Sequence, residues 1–149
     1  MARDMGNGHL ECLVLCNLGM TYDSLARFDE AQDHFEAALA IARAMGDRRR
    51  EGQFLSYVGL LHAHRAKLHD ARHCLDASEE LLQAASDRMS LGILFCARAE
   101  TEHLAGVPDA ARAALRAADI IATEVTAGPD SELGLALARV RNLLRHEQR

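Results

Sequence analysis

The chain has 149 residues, a length that suits one domain and allows a substantial core. Hydrophobic residues make up 49% and charged residues 26%, the balance of a soluble globular protein. The net charge of −5 argues against a nucleic-acid partner, because a phosphate backbone rewards a basic face.

Alanine, leucine, arginine and glutamate dominate, and all four are strong helix formers. Val, Ile and Thr are scarce and never alternate with polar residues over a strand-length run, so the expected class is all-α. The opening stretch, MARDMGNGHLE, has no apolar signal core, and no apolar run approaches a membrane span. A cytoplasmic protein with no membrane partner is expected. Cys12 and Cys16 lie four apart on one helix, which suits neither a disulfide framework nor a CxxC site. With Cys74 and Cys96 they read as small buried or half-buried hydrophobes.

In chain order, the first segment is LCNLGMTYDSLA (15–26), with Gly19 near its middle. RFDEAQDHFEAAL (27–39) follows and sets Ala31, Phe35 and Ala38 on one helical face, a flank of unusually small residues. Gly46 ends this helix and Asp47 can cap the next, which carries the short basic run DRRR (47–50), read as a solvated helix start. LSYVGLLHAHRA (55–66) then places Gly59 over Gly19, and KLHDARHCLDASE (67–79) places Ala71, Leu75 and Ser78 over Ala31, Phe35 and Ala38. Ser86 and Asp87 mark the next boundary. LFCARAETEHLA (94–105) has Arg98 where the glycine stood. GVPDAARAALRAA (106–118) aligns Val107 with Phe28 and Leu68, and Ala110, Ala114 and Ala117 with the three small-flank positions. The step is about 40 residues, then about 39.

Three helical hairpins thus cover roughly 11–46, 47–86 and 87–123. Alanine at the flank lets helices approach closely where Gly19 and Gly59 offer flat spots. After TAGPDSE (126–132), in which Asp130 reads as the cap, a seventh helix at about 130–147 carries Leu133, Leu137, Val140 and Leu144 on one stripe. With Arg139, Arg141 and Arg145 outward, it reads as a terminal capping helix. The expected architecture is an α-α solenoid in a single domain.

Leu18, Gly19, Tyr22, Ala31, Phe35 and Ala38 form a series that resembles the tetratricopeptide repeat signature, and Val58, Gly59, Ala71, Leu75 and Ser78 repeat it. The step near 40 is longer than the 34 residues of the basic family and is similar to its long-helix variety, common in bacterial regulatory and signalling proteins. The resemblance implies a right-handed superhelix whose first helices line a concave groove that binds a protein or peptide. It places Leu13, Cys16, Asn17, Met20 and Ser24 in that groove, then Gln53, Ser56, Tyr57, Leu60 and His64, then Phe95, Cys96, Ala99, Glu102 and His103. The lysines, arginines and asparagines with which some members grip acidic chaperone tails are missing, since Cys16, Met20, Tyr57, Gly92 and Cys96 hold those slots. A largely apolar groove suits an amphipathic helix or an extended segment with Leu or Phe anchors, and Tyr57 and Phe95 are the first candidates for binding energy.

Two other classes remain open at this stage. His69 and His73 lie four apart and can face one ion, but a zinc site wants a third ligand, and no phosphate loop, nucleophile elbow or HExxH occurs. No cofactor, metal or catalytic residue is therefore assigned. The alanine-rich third hairpin can instead receive a helix of another copy, which makes homo-oligomerisation the alternative to a peptide ligand.

Overall fold

The computed structural model describes the backbone of residues 2–147 and the side chains of residues 6–146. Its seven helices are α1 (Ala2–Ser24), α2 (Phe28–Ala44), α3 (Arg48–His64), α4 (Leu68–Ala84), α5 (Arg88–Leu104), α6 (Pro108–Glu124) and α7 (Glu132–Glu147), and among the described residues there is no strand. Helices pair as hairpins α1–α2, α3–α4 and α5–α6, successive hairpins pack side by side, and α7 closes the row against α5 and α6. None of the described helices is long and apolar enough to cross a membrane.

The metric of the repeat is stricter than the sequence suggests. Helices α2 to α6 have 17 residues each. A left-handed residue follows at Ala26, Gly46, Ala66, Ser86, Gly106 and Thr126, one every 20 residues. After each, the next amide donates back to a carbonyl five residues earlier, from Arg27 to Tyr22 through to Ala127 to Ala122, at 2.8 to 3.1 Å. This is one helix stop used six times, and it satisfies carbonyls that a helix end leaves unpaired.

The strict metric corrects the third copy by one residue. Second helices begin at 28, 68 and 108, so Ala31 and Ala71 correspond to Ala111, not Ala110. All three are fully buried, whereas Ala110 is only half-buried. Ala38, Ser78 and Ala118 are likewise fully buried. The counterpart of Gly19 and Gly59 is Ala99, also fully buried, rather than Arg98. A Cβ on Gly19 would come within 2.7 Å of the Phe35 ring, and one on Gly59 within 2.9 Å of Leu75 and 3.2 Å of the Ala71 carbonyl oxygen. The small residues therefore do sit where paired helices approach most closely.

Local signals explain the boundaries. The Asp47 carboxylate accepts from the Arg50 amide at 3.0 Å, and Asp87 from the Ser90 amide at 3.1 Å. Pro108 opens α6, where a missing N–H costs nothing. At α7 the cap is Ser131, not Asp130: its hydroxyl oxygen accepts from the Gly134 amide at 3.0 Å. Leu133, Leu137, Val140 and Leu144 form a buried stripe, as expected for a capping helix.

Two stability measurements follow from this packing. Ala71→Leu is expected to lower the denaturation free energy by about 1–3 kcal/mol through overpacking of the α3–α4 crossing. Thr126→Gly is expected to raise it by about 1 kcal/mol, because a β-branched residue is strained at the left-handed φ of 50°.

Candidate functional site

First helices α1, α3, α5 and α7 share one side of the row and enclose a cleft of about 310 Å³. Met20, Tyr57, Leu60, Ile93, Ala97 and Val140 line it, with Phe35 reaching in from α2. A smaller hollow of about 230 Å³ adjoins it, lined by Leu13, Cys16, Asn17, Arg50, Gln53 and Ser90. Met20, Ser56, Tyr57, Ile93 and Glu132 border both, so the two form one groove. The Tyr57 ring stacks on Phe35 at 6.2 Å, and its hydroxyl donates to Glu132 at the start of α7. Burial, reinforced by Glu132, raises the Tyr57 pKa and keeps the phenol protonated.

One end of the cleft is closed by charge. The His64 imidazolium donates from Nδ1 to Asp23 at 2.8 Å and from Nε2 to Glu100 at 2.5 Å. Arg139 donates to the same Glu100 oxygen at 2.9 Å. Each first helix thus contributes one member: Asp23 from α1, His64 from α3, Glu100 from α5 and Arg139 from α7. Burial pulls His64 towards its neutral form, but the hydrogen bonds and charges of Asp23 and Glu100 outweigh it and lift the pKa to about 9. Two carboxylates and two cations leave this end without net charge. At the other end burial favours protonation of Asp87, but hydrogen bonds from Ser90, Arg49 and Gln53 lower its pKa overall.

Several sequence candidates meet here. Leu13, Cys16, Asn17, Met20, Gln53, Tyr57 and Leu60 line the groove, as do Ser24, Ser56 and Cys96. His64 stands behind the cleft wall, tied to Asp23 and Glu100. Phe95, Ala99, Glu102 and His103 do not line it. Phe95 packs into the core around α4, α5, α6 and α7, and Glu102 pairs with Arg72 of α4 at 2.5 Å. Ala99 fills the close-approach position, and His103 is half-buried outside both hollows.

The one-residue slip accounts for Phe95, Ala99 and His103, which stand 39 rather than 40 residues after Ser56, Leu60 and His64, but not for Glu102. Adding 40 to Gln53, Tyr57 and Leu60 gives Ile93, Ala97 and Glu100, all of them lining residues that the sequence reading missed. It also missed the wall that α7 supplies through Leu135, Ala136 and Arg139, since the stripe marked that helix only as a cover.

The cysteine thiols are masked by burial. Burial pushes the Cys16 and Cys96 thiols up to about 12, so neither is a thiolate at neutral pH. Cys12 and Cys74 are raised in the same way, and all four cysteines are free. His69 and His73 are exposed on α4, and no group of three His, Cys, Asp or Glu side chains among the described residues is placed to hold a metal ion. No family model, curated protein or solved structure matches the chain.

The raised His64 pKa sets a pH window. Its protonated form stabilises the fold fully below about pH 6.5, and that contribution is lost as pH rises through about 9. The stability difference between the parent chain and His64→Gln, followed by urea melts, is expected to be largest near pH 6 and to shrink by pH 10.

Proposed function

We propose that the chain is a non-catalytic protein-interaction module of the tetratricopeptide type. Its groove takes an amphipathic helix or extended segment anchored by leucine or phenylalanine. The observation that carries this reading is the composition of the cleft: mostly apolar walls from four separate helices, with Asp23, Ser24, Ser56, Glu100, Glu132 and Arg139 among its few polar members. A volume of about 310 Å³ lies at the lower bound of small-ligand sites, about 300–1,000 Å³, and suits one or two apolar side chains.

Supporting this over an enzymatic reading, the thiols and phenol at the groove are held protonated, and Asp23, Glu100, His64 and Arg139 are committed to one another. None is poised as a nucleophile or as a free general base near neutrality. The four free cysteines fit a reducing compartment, and the repeat resemblance fits a bacterial regulatory or signalling protein. The reading is therefore of a cytoplasmic adaptor or regulator segment.

Selection from displayed peptide libraries, followed by fluorescence anisotropy, tests it. Selected peptides are expected to share apolar anchors. Leu135→Asp and Met20→Asp are each expected to weaken them at least about tenfold with helicity retained, because a carboxylate would line the apolar wall. Peptides without common anchors, or affinities indifferent to both substitutions, would place binding elsewhere.

A further inference from the structure

The basic run Arg48–Arg50 divides as it enters α3. Arg48 is exposed, and Arg49 pairs with Asp87 at 3.0 Å. Arg50 departs from the solvated helix start that the run suggests. It is half-buried and lines the smaller hollow of the groove, together with Asn17, Gln53 and Ser90. Forty residues earlier stands Leu10 and forty later Ser90, so the packing of the row does not call for a cation here. Arg50 is also at none of the slots noted above for gripping acidic chaperone tails, which makes it a feature of this chain rather than of the repeat.

Three arginines are half-buried among the described residues. Arg65 pairs with Asp29 at 2.9 Å, and Arg98 with Asp76 at 2.7 Å and Glu79 at 3.2 Å. The Arg50 guanidinium has no carboxylate partner among the described residues. Its Nη1 donates to the neutral Gln53 Oε1 at 2.9 Å, which leaves the Nε and Nη2 donors unused. The carboxylates around it are taken by other donors. Glu132 accepts from Tyr57, Asp87 from Arg49, Gln53 and Ser90, and Asp47 from the Arg50 amide, with His9 at 3.6 Å. The Asn17 side-chain amide, also at the hollow, makes no hydrogen bond among the described residues. Burial raises the pKa of Cys16 and of Tyr57, and Arg50 opposes that rise at both, so its positive field extends over the groove lining.

We propose that this hollow takes the carboxylate of an aspartate or glutamate side chain, carried by the same partner segment whose apolar anchor fills the cleft. The subsite rests on the groove reading and adds a charge requirement to it. A guanidinium edge meets a carboxylate side-on through two N–H donors, which is the pair that Arg50 has spare, and the Asn17 amide can donate to the same group. Arg50 is partly withdrawn from water without a countercharge, so an incoming carboxylate completes a pair that the chain leaves unfinished.

The helix sets the spacing. Tyr57 and Leu60 follow Arg50 by seven and ten residues, about 10 to 15 Å along α3 at about 1.5 Å per residue. An extended segment spans this in about three to five residues at about 3.3 Å each, and a helix in about seven to ten. Anchor and acid are therefore different residues of one segment, with the acid lying towards the start of α3. The far end of the cleft offers no rival subsite, since Asp23, His64, Glu100 and Arg139 satisfy one another there. The acid thereby also fixes which way the segment runs.

Peptides selected on the full chain and resynthesised with Glu or Gln at each position around the apolar anchor test this by fluorescence anisotropy, with circular dichroism as the folding control. At one position, on one side of the anchor, Glu is expected to bind at least about tenfold tighter than Gln. Arg50→Gln is expected to remove that preference, weakening the Glu form about tenfold more than the Gln form, whereas Arg48→Gln keeps it. Four outcomes would overturn the subsite alone, in peptides that still respond to Met20→Asp and Leu135→Asp. They are equal affinity of the Glu and Gln forms at every position, equal loss of both forms in Arg50→Gln, a preference that Arg48→Gln also abolishes, or a need for acid met by the peptide's terminal carboxylate and lost on amidation. Binders indifferent to Met20→Asp and Leu135→Asp, or no binder at all, would overturn the groove reading and the subsite with it.

Discussion

The constraint on which the fold rests is the close approach of the two helices in each hairpin. A helix pair comes nearest where neither partner has a bulky side chain, and here that occurs at Gly19, Gly59 and Ala99, facing second helices whose flank is Ala31, Ala71 and Ala111. Glycine inside a helix costs about 1 kcal/mol relative to alanine. Phe35 and Leu75 offset that cost by lying directly over the bare backbone, where each is almost fully buried. In the third hairpin Ala99 fills the gap, and the facing side chain, Leu115, is only partly buried. Once these crossings are set, helices of equal length ending in the same turn stack without accumulated error, and the first helices fall on one side of the row.

That shared side would be a weak seam if packing alone held it, because α1 and α3 touch each other little. The chain Asp23–His64–Glu100–Arg139 supplies the missing cross-ties, one from each first helix. A buried ion pair is poor evidence of net stability, since desolvation offsets much of the attraction. Its value here is positional. Glu100 is 5% exposed and accepts from two cations on different helices, so α3 and α7 can slide relative to α5 only by leaving a buried carboxylate unpaired. The apolar walls of the cleft are thereby held apart at a fixed width.

Most of the fold was legible in the sequence because its signals are local. Period and class came from helix formers, from Asp47 and Asp87 as caps, and from Gly46 as a stop. What was lost came from ambiguity at single positions. α6 reads AARAALRAA, in which Ala110–Ala111, Ala113–Ala114 and Ala117–Ala118 are doublets, so a shift of one residue still places alanine on the flank. The turns that would have fixed the count are mute as well. Ala26, Ala66, Ser86 and Thr126 take the left-handed conformation without the glycine that advertises it. The groove suffered most, because a one-residue error turns a helical face by about 100°. Phe95 was assigned to the cleft for that reason, and it packs instead into the core built by α4, α5, α6 and α7. The charge chain had no local signature at all, since its members stand 36 to 41 residues apart along the chain.

The two ends of the row differ in chemistry. In a row of stacked hairpins each outermost helix exposes a face whose counterparts inside the row are covered. At the α7 end the sequence solves this by changing chemistry. Leu133, Leu137, Val140 and Leu144 point inward, and arginines replace the apolar residues that a further repeat would need. At the α1 end the inward side is equally well packed, with Cys12 and Cys16 buried, but the outer side retains Leu10, Val14 and Leu18. Solvent-exposed leucines occur singly on many proteins and need no explanation. Val14 and Leu18 stand where α3 buries Phe54 and Val58, whereas Leu10 stands where α3 and α5 carry Arg50 and Ser90 at the groove.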